Sequence, residues 1–135
     1  MLKDPQQTWK EYYTDIKSRR SKEAKAIWFK MSSEGVTEDS ILALDFKLFS
    51  SDKKNAESLE EQLKENYKIA IEQSDKPDYW IITGTTRPYG IDLSEDAHLN
   101  WVEFMCDVAQ SHGCVFSTWD IEEPKSSSKW SSKND

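Results

Sequence analysis

The sequence predicts an α+β domain, on three observations. Apolar and polar residues alternate in several short stretches, the pattern of strands buried on one face. Elsewhere apolar residues recur every three or four positions, the spacing of helices with one buried face. The two patterns follow one another as a helical arm and then β-α-β-β-α-β. That order is the ferredoxin-like, or split βαβ, sandwich: a four-stranded antiparallel sheet with two helices on one face, here preceded by an N-terminal helical arm.

The arm spans residues 1–37. Asp4 places a capping side chain before Pro5, a proline at the first helical position. Trp9, Tyr12, Tyr13 and Ile16 then form one apolar face. The run Ser18, Arg19, Arg20 and Ser21 interrupts it, and Ala24, Ile27, Trp28 and Met31 resume it. One bent helix or two shorter ones are expected, ending before Gly35. The folded domain spans residues 38–123. Its first strand covers 41–49, with Leu42, Leu44, Phe46 and Leu48 on one side and Asp45 and Lys47 on the other. Ser51 and Asp52 cap a helix carrying Ala56, Leu59, Leu63 and Tyr67 at helical spacing. Strands over 68–72 and 79–86 flank a turn at 74–78 and predict a hairpin. After a loop at 87–90, Ser94 starts a helix with Ala97, Trp101, Phe104, Met105 and Val108 on one face. Gly113 ends that helix where a left-handed residue is needed. Residues 115–121 form the last strand. Residues 124–135 are rich in Ser and Lys around a lone Trp130, and predict a disordered tail.

Length and charge narrow the function. A chain of 135 residues makes one ordinary domain and needs neither metal nor disulfide to fold. Its apolar runs are too short to span a bilayer, so no membrane segment is expected. The first residues show no apolar signal core, which predicts a cytoplasmic chain whose two cysteines, Cys106 and Cys114, are reduced thiols. The net charge of −7 is uneven: +3 over residues 1–37, −12 over 38–123 and +2 over 124–135. An acidic domain is poorly suited to a polyanion and well suited to a protein partner with a basic surface.

No catalytic constellation stands out. His98 and His112, at the start and end of one helix, read as structural, and His112 suits the negative end of the helix dipole. No nucleophile elbow or glycine-rich phosphate loop is present. Cys106 and Cys114 lack metal-ligand spacing, and Cys106 falls off the main apolar stripe of its helix, so no metal or other cofactor is expected. The acid pairs Glu60–Glu61, Glu95–Asp96 and Glu122–Glu123 read as solvated, not as an acid–base couple. The strand over 79–86 lacks the basic, aromatic-rich pattern of an RNA-recognition sheet, so the domain is not expected to contact nucleic acid directly. The cluster Lys17, Arg19, Arg20, Lys22 and Lys25 reads as a solvated helix face, a weak nucleic-acid contact, or a patch docking on the chain's own acidic domain.

Three segments carry a resemblance. They are residues 41–67, residues 80–85, and above all Val108-Ala109-Gln110-Ser111-His112-Gly113 followed by Phe116-Ser117-Thr118-Trp119-Asp120. Across residues 41–123 the chain resembles the RraB family, bacterial regulators of ribonuclease E, where a helix ending near Glu-His-Gly leads into Tyr-Asp-Gly-Trp-Gly. Phe116 stands at the Tyr, Trp119 matches the Trp, and Ser117, Thr118 and Asp120 replace Asp, Gly and Gly. The family's acidic C-terminal tail is replaced by a Ser/Lys tail. The resemblance implies a small, non-catalytic, cytoplasmic bacterial protein that binds ribonuclease E and modulates RNA turnover.

If two helices cover one sheet face, strand alternation leaves Asp45, Lys47, Tyr79, Ile81, Thr83, Phe116 and Thr118 on the other. These seven are the candidate partner-binding residues, unless the N-terminal arm covers them. Two rival readings stand beside the regulator. One is an immunity or antitoxin-like inhibitor of a basic toxin. The other is a small-ligand or enzymatic domain in which Arg87, in the loop at 85–90, clamps an anion. The sequence does not decide the oligomeric state.

Overall fold

The computed structural model describes residues 5–75, 79–87 and 90–132. Its elements in chain order are α1 (Pro5–Ser33), β1 (Ile41–Ser50), α2 (Lys53–Leu63), β2 (Lys68–Gln73), β3 (Trp80–Thr85), β4 (Ile91–Asp92), α3 (Glu95–Ser111), β5 (Val115–Glu123) and β6 (Ser128–Ser131). The strands form one open, six-stranded antiparallel sheet in the order β2-β3-β1-β5-β6, with β4 paired to the start of β1. No described helix is long and apolar enough to cross a membrane.

Two strands exceed the four expected, and each has an identifiable cause. β3 leaves β1 at Asp45, so the first residues of β1 would lack a partner on that side. The Thr86 amide and hydroxyl bond the backbone of Leu44, and the chain then returns as β4 to pair Ile91 with Leu42. β6 replaces the expected disordered tail. A turn over residues 124–127, with Ser127 at a positive φ of 61°, folds the chain back so that Trp130 pairs with Ile121. Trp130 is buried, and its indole donates to Glu34 at 3.1 Å. A single large aromatic supplied the apolar area that composition alone hid. Residues 133–135 of that tail lie outside the described residues.

The helix ends follow the capping residues. Asp52 accepts from the Lys54 amide at 2.8 Å, and Ser94 accepts from the Ala97 amide at 3.0 Å. Gly113 adopts φ +70°, and Cys114 closes the helix end by donating to the Ala109 carbonyl. The Asp4 cap lies outside the described residues, as do residues 76–78 of the turn and 88–89 of the loop. Either side of that turn, β2 and β3 pair antiparallel, as the hairpin expectation requires.

The arm is one continuous helix of 29 residues, without a break at Ser18–Ser21. Its C-terminal half runs antiparallel along α3: Lys17 meets Asp107, Ser21 meets Glu103, and Trp28 lies against His98. Ala24, Ile27, Trp28 and Met31 thereby join the main core with Leu42, Leu44, Phe46, Leu48, Val102, Met105 and Trp119. This second partner widens the buried stripe of α3. His98 and Cys106 are buried, while Ala97 and Phe104, expected on the inner face, turn outward.

β6 reaches only the end of β5, which leaves an open edge upstream. α1 straddles that edge. Arg20 donates to the Phe116 carbonyl at 3.0 Å, and the Tyr13 hydroxyl donates to the Cys114 carbonyl at 2.8 Å. Covering an edge in this way protects it from pairing with other chains. Beyond the edge, Tyr13 and Ile16 pack on Val115 and Phe49, a small second cluster apart from the main core.

Candidate functional site

The face of the sheet away from α2 and α3 carries most of the expected residues in register. Lys47 sits between Thr83 on β3 and Thr118 on β5. Asp45 sits between Thr85 and Asp120, and Phe49 pairs with Ile81. Ile81, Thr83 and Thr118 are half-buried and Lys47 is exposed, as a solvated sheet face requires. Tyr79 lies one residue before β3, is exposed, and meets Phe49 edge-on at 6.0 Å between ring centres. Two neighbouring hollows, about 510 and 460 Å³, run along this face past Lys47 and Thr118.

Phe116 is the exception among the seven. It is buried in the core, stacked on Trp119 with ring centres 5.3 Å apart and edge-on to Trp101. The cause is a bulge. The β1–β5 register shifts between Lys47 and Leu48, so that Lys47 faces Thr118 while Leu48 faces Phe116. Ser117 is the extra residue, and it turns Phe116 and Trp119 to the same side although they are three apart. Strict alternation cannot anticipate this.

Arg87 does not stand free as an anion clamp. Its guanidinium bonds Asp45 through Nε at 3.3 Å and Nη2 at 3.2 Å, and it also pairs with Glu122. Hydrogen bonds that it donates to these two carboxylates raise its pKa above the usual value. The cluster ties β1, the 85–87 loop and β5 together at one end of the open face. Such exposed pairs order side chains more than they stabilise the fold.

Among the described residues, the arm meets the open face at one corner. There Trp9 and Tyr12 of α1 stand over Phe49 and Tyr79 and enclose a cleft of about 590 Å³, floored by Ser50, Ser51, Gly113 and Val115. Periodicity places Trp9 and Tyr12 on the buried face of the helix. Instead they are 57% and 41% exposed, because the helix runs on past the edge of the sheet. The signal in the sequence was the aromatic density of one helical turn, which exceeds what a single packing face absorbs. Phe49 and Tyr79 also border the adjoining hollow on the sheet, so the cleft and the open face are continuous.

Titratable groups outside this region are held by packing. His98 is buried between Trp28 and Trp119, and its Nε2 accepts from the Trp119 indole at 3.1 Å. Its Nδ1 has no partner among the described residues, and desolvation pushes its pKa down to about 4. His112 bridges α3 to α2 through Ser58 on Nδ1 and Gln62 on Nε2. Burial raises both thiols, Cys106 to about 12. Among the described residues no group of three or more His, Cys, Asp or Glu is placed to hold a metal ion. The basic cluster of the arm divides: Lys17 pairs with Asp107 of the chain's own domain, and Arg20 with Glu23 and the β5 edge, whereas Arg19 pairs within the helix to Asp15.

No family model matches the chain, and no curated protein matches it.

Proposed function

We propose that this chain is a non-catalytic, protein-binding regulator similar to the RraB family, acting on ribonuclease E in the bacterial cytoplasm through the open face of its sheet. The observation that carries the reading is that face. Rows of Thr, Lys and Ile side chains lie in register with no described helix over them, and exposed aromatics stand at one end. A half-apolar, weakly charged surface of this kind suits a partner better than it suits a substrate.

Two further features support the reading. The inner strands follow the order β2-β3-β1-β5, with α2 and α3 entering as the connections of a split βαβ unit would. The acidic surplus of residues 38–123 favours encounter with a basic partner. The test is calorimetric titration of the purified chain with purified ribonuclease E, alongside a single-substrate RNA cleavage assay. Saturable binding with an altered cleavage rate is the expected result. The pair Lys47→Glu and Thr118→Arg should weaken binding at least about tenfold without changing the circular dichroism spectrum. An absence of binding at moderate salt overturns the ribonuclease E assignment, and wild-type affinity in the pair removes the open face.

A further inference from the structure

The two sides of the sheet end differently. On one, β6 pairs with the end of β5 and α1 lies over the rest, through Arg20 and Tyr13. On the other, β2 is the last strand, and among the described residues no strand pairs with its outer side. A bare edge of this kind is a template for another strand. The sequence of β2, Lys68-Ile69-Ala70-Ile71-Glu72-Gln73, holds no proline to blunt it.

The pairing with β3 sets which backbone groups point outward. The Ser74 amide donates to the Tyr79 carbonyl at 3.0 Å, one step past the Gln73–Trp80 pair. Antiparallel strands alternate between residues that bond the neighbour and residues that point away. Counting back from Ser74, the residues that face β3 are Glu72, Ala70 and Lys68. The Thr83 hydroxyl, 3.5 Å from the Ala70 carbonyl, agrees. Ile69 and Ile71 therefore turn their amides and carbonyls outward. The side chains divide as well. Lys68, Ala70 and Glu72 are exposed on the open face, beside Thr85, Thr83 and Ile81. Ile69 and Ile71 are half-buried on the other face, against the main core. Among the described residues, Lys68 and Glu72 pair with no charged side chain.

The order of these residues selects the occupant. Two copies of β2 related by a two-fold axis through Ala70 run antiparallel. Lys68 of each copy then stands opposite Glu72 of the other. Ile69 stands opposite Ile71, and both present outward groups, so these pairs exchange both backbone bonds. Ala70 meets Ala70, where the close approach of a non-hydrogen-bonded pair suits a small side chain. An axis through Ile69 or Ile71 would set Lys68 or Glu72 opposite Ala70. An axis through Lys68 or Glu72 would set like charges face to face. A foreign strand requires no such symmetry in β2, whereas a second copy does.

We propose that the chain forms a symmetric homodimer through β2, joining two sheets edge to edge and two open faces into one surface. The Lys68–Glu72 pairs fix the register. A contact this narrow buries little surface, so the dimer is weak and reversible. It is independent of the ribonuclease E reading.

The experiment is sedimentation equilibrium of the full chain, from low micromolar to near-millimolar concentration. Moderate salt screens the repulsion between two acidic chains. A monomer–dimer equilibrium with a micromolar to sub-millimolar dissociation constant is expected. Lys68→Glu and Glu72→Lys each put like charges opposite one another. Each should weaken the dimer at least about tenfold, with an unchanged circular dichroism spectrum. An equal mixture of the two variants restores both attractive pairs in the mixed dimer and should associate as the wild type does. Ala70→Glu, which sets like charges on the axis itself, should weaken the dimer as much and serves if either reversal unfolds the chain. A monomer at every concentration, assembly that grows past the dimer, wild-type association by a folded single variant, or a mixture that stays monomeric would each overturn the proposal.

Discussion

The two halves of α1 have the same apolar spacing and opposite fates. In the C-terminal half, Ala24, Ile27, Trp28 and Met31 are all buried in the main core. Among the described residues of the N-terminal half only Tyr13 and Ile16 are buried, on a two-strand corner, while Trp9 and Tyr12 face outward. The C-terminal half lies along α3 and inherits a whole helix as partner. The N-terminal half passes over the β5 edge, and its buried side chains pack on Phe49 and Val115. A helical stripe therefore states that a helix has a face, not what that face meets.

Substitution separates the halves most strongly at their tryptophans. Trp28→Ala should cost about 3–5 kcal/mol, through lost burial and the cavity left beside His98. Trp9→Ala should stay within about 0.5 kcal/mol, as expected of an exposed site. Urea unfolding midpoints of the two variants measure the contrast, and similar losses would mean that the N-terminal half is packed as tightly as the other.

The second probe titrates the buried half alone. Burial holds His98 neutral down to about pH 4, whereas in the unfolded chain it takes up its proton near its ordinary value of 6.5. Between these two values the unfolded chain binds more protons, so acid draws the equilibrium toward it. Stability is fully present above pH 6.5 and is lost as pH falls toward 4, by roughly 3 kcal/mol from this residue. His98→Gln retains an acceptor for the Trp119 indole and cannot titrate. Its unfolding midpoint should therefore fall less than the wild type's between pH 7 and 4.5. Parallel falls would assign the acid sensitivity to the carboxylates instead.

A smaller loss than at Trp28 or His98 is expected at Tyr13, which anchors the N-terminal half. Tyr13→Phe removes the hydroxyl that satisfies the Cys114 carbonyl at the sheet edge, at a cost of about 1 kcal/mol. Hydrogen exchange should quicken at the start of β5 in this variant, while the β1–β3 ladder keeps its protection. Unchanged exchange along β5 would show that the edge needs no such cover.

Much of this fold is legible in the order of residues alone. Alternation along residues 41–49, the caps at Asp52 and Ser94 and the left-handed Gly113 are local properties. Each depends on a side chain and the backbone within a few residues of it, so the sequence by itself determined them. The same alternation put Asp45, Lys47, Ile81, Thr83 and Thr118 on one face. What failed had a distant cause. The fate of Phe116 depended on a one-residue bulge against β1, the tail depended on Trp130 finding Glu34 just past the end of α1, and the exposure of Trp9 depended on where the sheet stops. Gly84 shows the same division. Its place in a strand reads as a weakness, yet the ring of Phe46 from the neighbouring strand occupies the space a Cβ would need. Local torsions and periodicities are written in neighbouring residues. Register, edge cover and the cleft are set by pairs of residues far apart in the chain, and only packing in three dimensions decides which pairs meet.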